Sequence, residues 1–355
     1  MTGRWYALSA AMLHTACHAP NGTFTGQAFA PVASAEVSPA NSAFADGIAL
    51  GLHFEDSGRG YEGYLWEIAR TGAGHVSIVI QWSMTDIRAS EVRRHSLFTP
   101  TDEDVIRVIR QAKAFGLEVT LFPILWIEER ADGEWRGRLA PEDPAAWFAS
   151  YRSFVLHYAA IAAAEEVWAL SVGSELGSME IWETQWRALI SSCREVFAGP
   201  LLYSANWDHA ERTPFWDALD FIGVTGYYEL ATEEDPEPGV EPLSRAWRPI
   251  IEQLRVLSEE HERPLLITEV GYVAQRIAAA RPWDYTVDGD IDLGAQYEAF
   301  VALTHAWNQE PFLAGVFVWN WFGDGGSQDN GYTPRNKPSE QVLRRWFGGS
   351  MSGAR

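Results

Sequence analysis

Two glutamates stand at matching breaks in the chain. Glu175 ends the apolar run "VWALSVGSE", and Glu269 lies in "PLLITEVGY". Each closes a stretch with the composition of a buried strand, beside glycine. The chemistry that needs two facing carboxylates is glycoside hydrolysis. One carboxyl gives its proton to the leaving oxygen; the other, ionised, attacks the anomeric carbon. An ionised Glu269 keeps the proton on a nearby Glu175, because two like charges resist coexisting. Once the glycosyl ester forms, Glu269 is neutral, and Glu175 then favours ionisation and acts as base on water. Read singly, each glutamate is equally a solvated loop carboxylate. The pair carries the reading.

Such a pair needs a frame that brings its members together. Short apolar, β-rich runs recur along the chain: "GIALGLHF", "HVSIVIQW", "EVTLFPILW", "VWALSVGSE", "LLYSANW", "FIGVTGYY", "PLLITEVGY" and "AGVFVWNW". Helical patterns lie between them. In "TDEDVIRVIRQAKAFG", Val105, Ile106, Val108, Ile109 and Ala112 share one face and Gly116 stops the helix. Near-continuous apolar strands mean that both faces of the sheet are covered, as in parallel sheets. Eight βα units in about 300 residues predict a single (β/α)8 barrel. A doubly wound open sheet is the alternative. It carries a glycine-rich turn after its first strand, and "EDSGRGYEG" lacks that spacing.

In a barrel the strands' C-terminal ends form the reactive face. Glu175 ends strand four and Glu269 strand seven. Asn206 and Trp207 of "ANWD" end strand five, Tyr227 and Tyr228 of "GYYEL" strand six, and Trp319 of "VWNWFGDG" strand eight. Trp82 and Trp126 end strands two and three, and Trp135 and Arg136 sit in "GEWRGR" on the loop that follows. These rings are candidate platforms for sugar faces, with Trp319 as the floor; packing roles are the alternative for each. Trp319 and Trp321 alternate and are expected to share a face. Arg136 reads equally as a hydroxyl ligand or a loop ion pair. His53, at the end of strand one, reads as a hydrogen-bonded structural residue.

Composition narrows the partners. A formal net charge of −21 argues against nucleic acid and anionic membrane surfaces. Cys17 and Cys193 are too far apart for a disulfide framework or zinc site, and Cys193 reads as a buried thiol in a helix. A metal-dependent barrel hydrolase needs a His-x-His pair on its first strand, where "GLHFED" offers one histidine. No metal or cofactor is expected. Residues 1–17 read as a signal peptide, and "TAC" resembles a lipobox with Cys17 as the lipidated residue, although His14 stands where that pattern prefers leucine. Residues 18–46 read as a flexible linker, and residues 47–350 as the catalytic barrel. The expectation is an exported protein: periplasmic, extracellular or lipid-anchored. No later apolar run is long enough to span a bilayer.

An acid on strand four with a nucleophile on strand seven resembles the clan A retaining glycoside hydrolases, which are (β/α)8 enzymes. Within that clan, "VGSELGSME", "EWRGRLAPEDPAAWFASY" and "LLITEVGY" resemble glycoside hydrolase family 113, the β-mannanase family, and the likeness covers most of the chain after Gly47. The resemblance implies Glu175 as acid/base and Glu269 as nucleophile. It implies a tyrosine at the end of strand six bonded to the nucleophile, and β-1,4-linked mannan or manno-oligosaccharides as substrate. Most of the clan has an asparagine before the acid/base, binding the sugar 2-hydroxyl. Here that residue is Ser174, and family 113 tends to a small hydroxyl residue there. Asn206 is then the candidate for the 2-hydroxyl. A β-glycanase acting on gluco- or xylo-configured chains is one alternative. Another is a non-catalytic sugar-binding barrel, which would keep the tryptophans and lose a glutamate.

Overall fold

Alternation along the strands sorts their side chains into two shells. On the second strand Val79 belongs to an inner cluster with Ala49, Phe122, Ile124, Leu202, Leu266 and Phe317. Its neighbours Ile78 and Ile80 belong to a larger outer cluster with the helices. This computed structural model describes residues 44–52, 60–284, 286–287, 289–308, 310–323 and 325–348. Cys17, the expected signal segment, the linker up to residue 43 and His53 lie outside the described residues.

The strands are β1 (Ala45–Gly51), β2 (His75–Met84), β3 (Glu118–Ile127), β4 (Ala169–Ser174), β5 (Leu201–Ala205), β6 (Phe221–Thr225), β7 (Leu265–Val270) and β8 (Leu313–Val318). All pair in parallel, in chain order, and β8 closes on β1 with Ala45 beside Gly315. The expected closed (β/α)8 barrel is the fold found. β1 begins at Ala45, two residues before the expected start. Pro123 lies within β3, which is tolerable because the β3–β4 ladder ends at Leu121.

The helices are α1 (Tyr61–Arg70), α2 (Asp102–Ala114), α3 (Pro144–Ala164), α4 (Glu183–Val196), α5 (Val240–His261), α6 (Leu293–Trp307) and α7 (Pro338–Phe347). α2 starts where Thr101 caps it, accepting from the Asp104 amide. It buries Val105, Val108, Ile109 and Ala112, while Ile106 is half-exposed at the edge of the expected face. Gly116, at φ +79°, ends the turn beyond it. α3 starts on Asp143, which caps Ala146, with Pro144 in its first turn. One expected helix is replaced. Residues 206–220, between β5 and β6, form two single 3₁₀ turns, Ala210–Arg212 and Trp216–Ala218. That short segment holds Pro214 and several cap-forming polar residues, which favour turns over a continuous helix.

Among the described residues no helix is long and apolar enough to cross a membrane. Cys193 is a buried free thiol on α4.

Candidate active site

β4 stops at Ser174, and Glu175 takes φ +56°, a left-handed conformation that costs energy for a side chain with a Cβ. The Glu175 amide donates to the Ser204 carbonyl at 2.8 Å, which ties the turn to β5. The carboxyl is turned into the rim and is 5 % exposed. Glu269 arrives on β7 itself, 3 % exposed, next to Thr225 of β6 in the ladder. Gly271 just beyond it leaves room for the Trp319 carbonyl, which a Cβ at that position would meet at 2.2 Å.

The two carboxyls have different partners. Arg136 donates from Nη2 to Glu175 Oε2 at 2.6 Å, and both side chains are largely buried. Tyr227 donates from its hydroxyl to Glu269 Oε2 at 3.2 Å, while Glu269 Oε1 has no hydrogen-bond partner. Burial, and then the charge of the nearby Glu175, push Glu269 up to about 8, against the opposing pull of Arg136 and Tyr227. Glu175 thus has a guanidinium as its partner, and Glu269 only a phenol. Burial and the neighbouring Glu269 push Tyr227 well above the ordinary phenol range, so it remains a hydrogen-bond donor.

The rim residues sort by strand parity. Tyr227 faces the barrel interior; Tyr228 faces outward, edge-on to Trp247 of α5 at 5.6 Å and to Trp207 at 5.5 Å. The tyrosine bonded to Glu269 is therefore Tyr227, and the expectation for Tyr228 as a site residue is corrected. Trp82 is corrected too. It shares the outward phase of Ile78 and Ile80, donates to the Tyr158 hydroxyl at 3.0 Å and packs on Phe154 of α3. Trp126 has the inward phase of Phe122 and Ile124. It stands at the rim, edge-on to Phe98 and His95.

Trp319 lies in the inner cluster, 5 % exposed, and the peptide joining it to Asn320 is cis. Trp321 does not share its face. It packs among the helices and donates to Glu67 of α1 at 2.9 Å. β8 ends at Val318, so strand alternation no longer applies to these two rings. Trp207 stacks on Trp283 at 5.7 Å between centroids, with planes 20° apart. Asn206 is buried, donating to Asp208 at 2.6 Å and accepting from Thr225 at 3.4 Å. Trp135 precedes the 3₁₀ turn Arg136–Arg138, with its ring over Gly137 where no Cβ fits.

Trp283 and Tyr332 were missed because they lie in loops without periodicity. Tyr332 meets Tyr227 edge-on at 6.2 Å and so backs the ring bonded to Glu269. At the strands' C-terminal end of the barrel, Arg136 Nε, Ser174 Oγ, and the indole nitrogens of Trp126, Trp207 and Trp319 are buried without a hydrogen-bond partner. Buried polar atoms are nearly always paired. A cluster of unpaired ones beside aromatic faces and two carboxyls suits a polyhydroxylated ligand. No grouping of three or more metal-ligating side chains occurs among the described residues.

The chain is similar to known proteins over most of its length. The model of glycoside hydrolase family 113 matches residues 61–337. The family 113 β-mannanase AaManA from Alicyclobacillus acidocaldarius, solved in complex with ManMIm, is 27 % identical. The match covers 88 % of this chain and 99 % of that one, with a TM-score of 0.78. A second family 113 β-1,4-mannanase structure is 21 % identical over 86 % of this chain and 99 % of that one, with a TM-score of 0.77. Thermotoga maritima Cel5A, bound to cellobiose, shares the fold at 16 % identity over 87 % of this chain and all of its own, with a TM-score of 0.57. No curated protein sequence matches the chain.

Proposed function

The chain belongs to glycoside hydrolase family 113, and from that premise we propose that it cleaves β-1,4-mannosidic linkages with retention, Glu269 attacking and Glu175 serving as acid and then base. It is a glycoside hydrolase, and its substrate is a polysaccharide or oligosaccharide. The observation that carries the finer reading is the pairing itself. Two buried carboxyls end β4 and β7, close enough that the charge of one raises the proton affinity of the other. Their different partners give them different roles. The mannose assignment is supported by the likeness to the β-mannanases.

In the first step Glu269 bonds to the anomeric carbon, and the leaving oxygen takes its proton from Glu175. The step needs the proton on Glu175 and Glu269 ionised, with Tyr227 aiming the attacking carboxylate. Esterified Glu269 has no charge. Arg136 then favours the ionised Glu175 that draws a proton from the incoming water. General acid or base help of this kind is worth about 10²–10⁴-fold in each step.

In this reading Trp319 of the inner cluster and the Trp207–Trp283 stack offer flat faces to sugar rings. Binding energy from remote rings helps distort the reacting one, so longer oligomers should react faster than the disaccharide. Product analysis with mannohexaose, cellohexaose and xylohexaose tests the substrate. Cleavage of mannohexaose alone is expected. Cleavage of cellohexaose or xylohexaose alone would keep the mechanism and remove the mannan assignment, and no cleavage of any would favour a sugar-binding barrel. The export of the chain, with lipidation at Cys17, is a proposal that rests on the first residues' sequence. Membrane partition of the full chain against its Cys17→Ala variant tests it.

A further inference from the structure

Glu180 is a buried acid that the cleavage chemistry leaves unused. It follows the 3₁₀ turn Gly177–Met179, five residues beyond Glu175, and is 3 % exposed. Its Oε1 accepts from the Tyr203 hydroxyl at 2.8 Å. The same Tyr203 oxygen accepts from the Leu176 amide at 3.0 Å. Leu176 is the residue after Glu175, and the Glu175 amide is held by the Ser204 carbonyl at 2.8 Å. Adjacent residues of β5 thus hold the two amides that flank the Glu175 carbonyl carbon and Cα.

The Tyr203 ring has no room to swing. It is packed against Trp186 at 5.2 Å, Phe215 at 5.3 Å and Trp216 at 6.1 Å. Gly173, just before the catalytic turn, admits it: a Cβ there would lie 3.0 Å from the Tyr203 ring and 2.9 Å from the Tyr151 hydroxyl. Burial pushes Glu180 up to about 7, with Tyr203 and His209 pulling the other way and Asp208 adding to it. Burial also pushes Tyr203 well above the ordinary range, so its hydroxyl stays a donor.

We infer that Tyr203, oriented by Glu180, is a positioning residue that fixes the strained turn carrying Glu175 and so determines how well Glu175 delivers its proton. A left-handed glutamate persists only where its surroundings over-determine it. The Leu176 amide is one of the two backbone bonds that do so. Without the Tyr203 hydroxyl the turn relaxes and the carboxyl leaves the line to the leaving oxygen. Tyr203 touches no substrate; it acts through Glu175, and the inference rests on reading Glu175 as acid/base.

The test compares leaving groups in the full-length protein. kcat/KM is measured on manno-oligosaccharide, which needs acid help, and on 2,4-dinitrophenyl β-mannoside, which needs little. The variants are Tyr203→Phe, Glu180→Ala, Glu180→Gln and, as reference, Glu175→Gln. Tyr203→Phe and Glu180→Ala should lose about 10- to 100-fold on the oligosaccharide, part of the full general-acid contribution. On the activated mannoside they should stay within about 3-fold of wild type, since acid help is spared there. Glu180→Gln should recover near-normal rates, because its amide oxygen still accepts from Tyr203. Equal losses on both substrates, or none, beside a strong leaving-group dependence in Glu175→Gln, would overturn the positioning role and leave the acid/base reading standing. No leaving-group dependence in Glu175→Gln would overturn that reading and the inference with it. Should Tyr203→Phe fail to fold, the two Glu180 variants carry the same comparison.

Discussion

Arg136 Nη2 lies 2.6 Å from Glu175 Oε2, so the loop after β3 places its guanidinium on the candidate acid/base itself. An acid that must hold a proton in one step and lose it in the next is thus paired, in the unliganded protein, with a permanent cation. The arrangement favours the second step over the first. It also lowers the proton affinity of Glu269 through space.

Removing that cation should move the pH profile. In Arg136→Gln, Glu269 loses an opposing charge and holds its proton to higher pH. The nucleophile must be ionised, so the acid limb of kcat/KM should move upward by about 0.5–1 unit. At about pH 6, below the limb, the variant should lose roughly 3- to 10-fold relative to wild type once the two plateaus are set equal. Arg136→Lys should keep the limb near its wild-type position while losing the fork geometry. A limb that does not move in Arg136→Gln would show that Glu269 does not set it.

Glu269 should also cost stability when charged. Its proton affinity is raised on folding, to about 8. The folded state therefore binds this proton more tightly than the unfolded chain. The associated stability is fully present below about pH 4.5 and is lost as pH rises through about 8. Glu269→Gln cannot ionise, so it should match wild type at low pH and exceed it by several degrees in Tm at about pH 9. Thermal melts across pH check this, and a constant Tm difference would contradict it.

Much of this architecture was legible in the residues, and parity explains much of the rest. The eight strands were readable because buried parallel strands are apolar runs. Glu175 and Glu269 were readable because each interrupts such a run. Trp82 and Trp126 looked alike as strand-end tryptophans, but counting by twos from Val79 and Phe122 sends one outward and the other inward. Trp319 and Trp321 defeated the same count because the strand ends before them. The partner of Arg136 depends on how a long loop folds back 39 positions from Glu175, and no local pattern encodes that. Tyr203 was hidden for a different reason. Its outward phase marks it as a packing residue, and its role follows only from where its hydroxyl ends.

Paired tryptophan substitutions test the sorting. Trp82→Phe should leave kcat and KM within about 2-fold while costing about 1 kcal/mol of stability through the lost bond to Tyr158. Trp319→Phe should reduce kcat/KM by about 10-fold, equivalent to about 1.4 kcal/mol of transition-state binding. Steady-state kinetics beside denaturant melts separates the two. A kinetic loss at Trp82 as large as at Trp319 would place Trp82 back at the sugar site.

Glu175→Ala should be rescued selectively. An activated mannoside still forms the glycosyl ester without acid help, and the ester then accumulates for lack of a base. Azide needs no base, so it should accelerate turnover and yield a mannosyl azide of β configuration. Failure of azide to form that product would remove Glu175 from the base role.

The central claim is that Glu269 forms a covalent bond to the sugar. A 2-deoxy-2-fluoro-mannosyl fluoride forms the ester but slows its hydrolysis, so peptide mass spectrometry after brief incubation reads the site directly. One mannosyl adduct on the peptide containing Glu269, absent in Glu269→Gln, is the expected result. An adduct on the Glu175 peptide, or an unlabelled enzyme that still hydrolyses manno-oligosaccharide with inversion, would contradict the account.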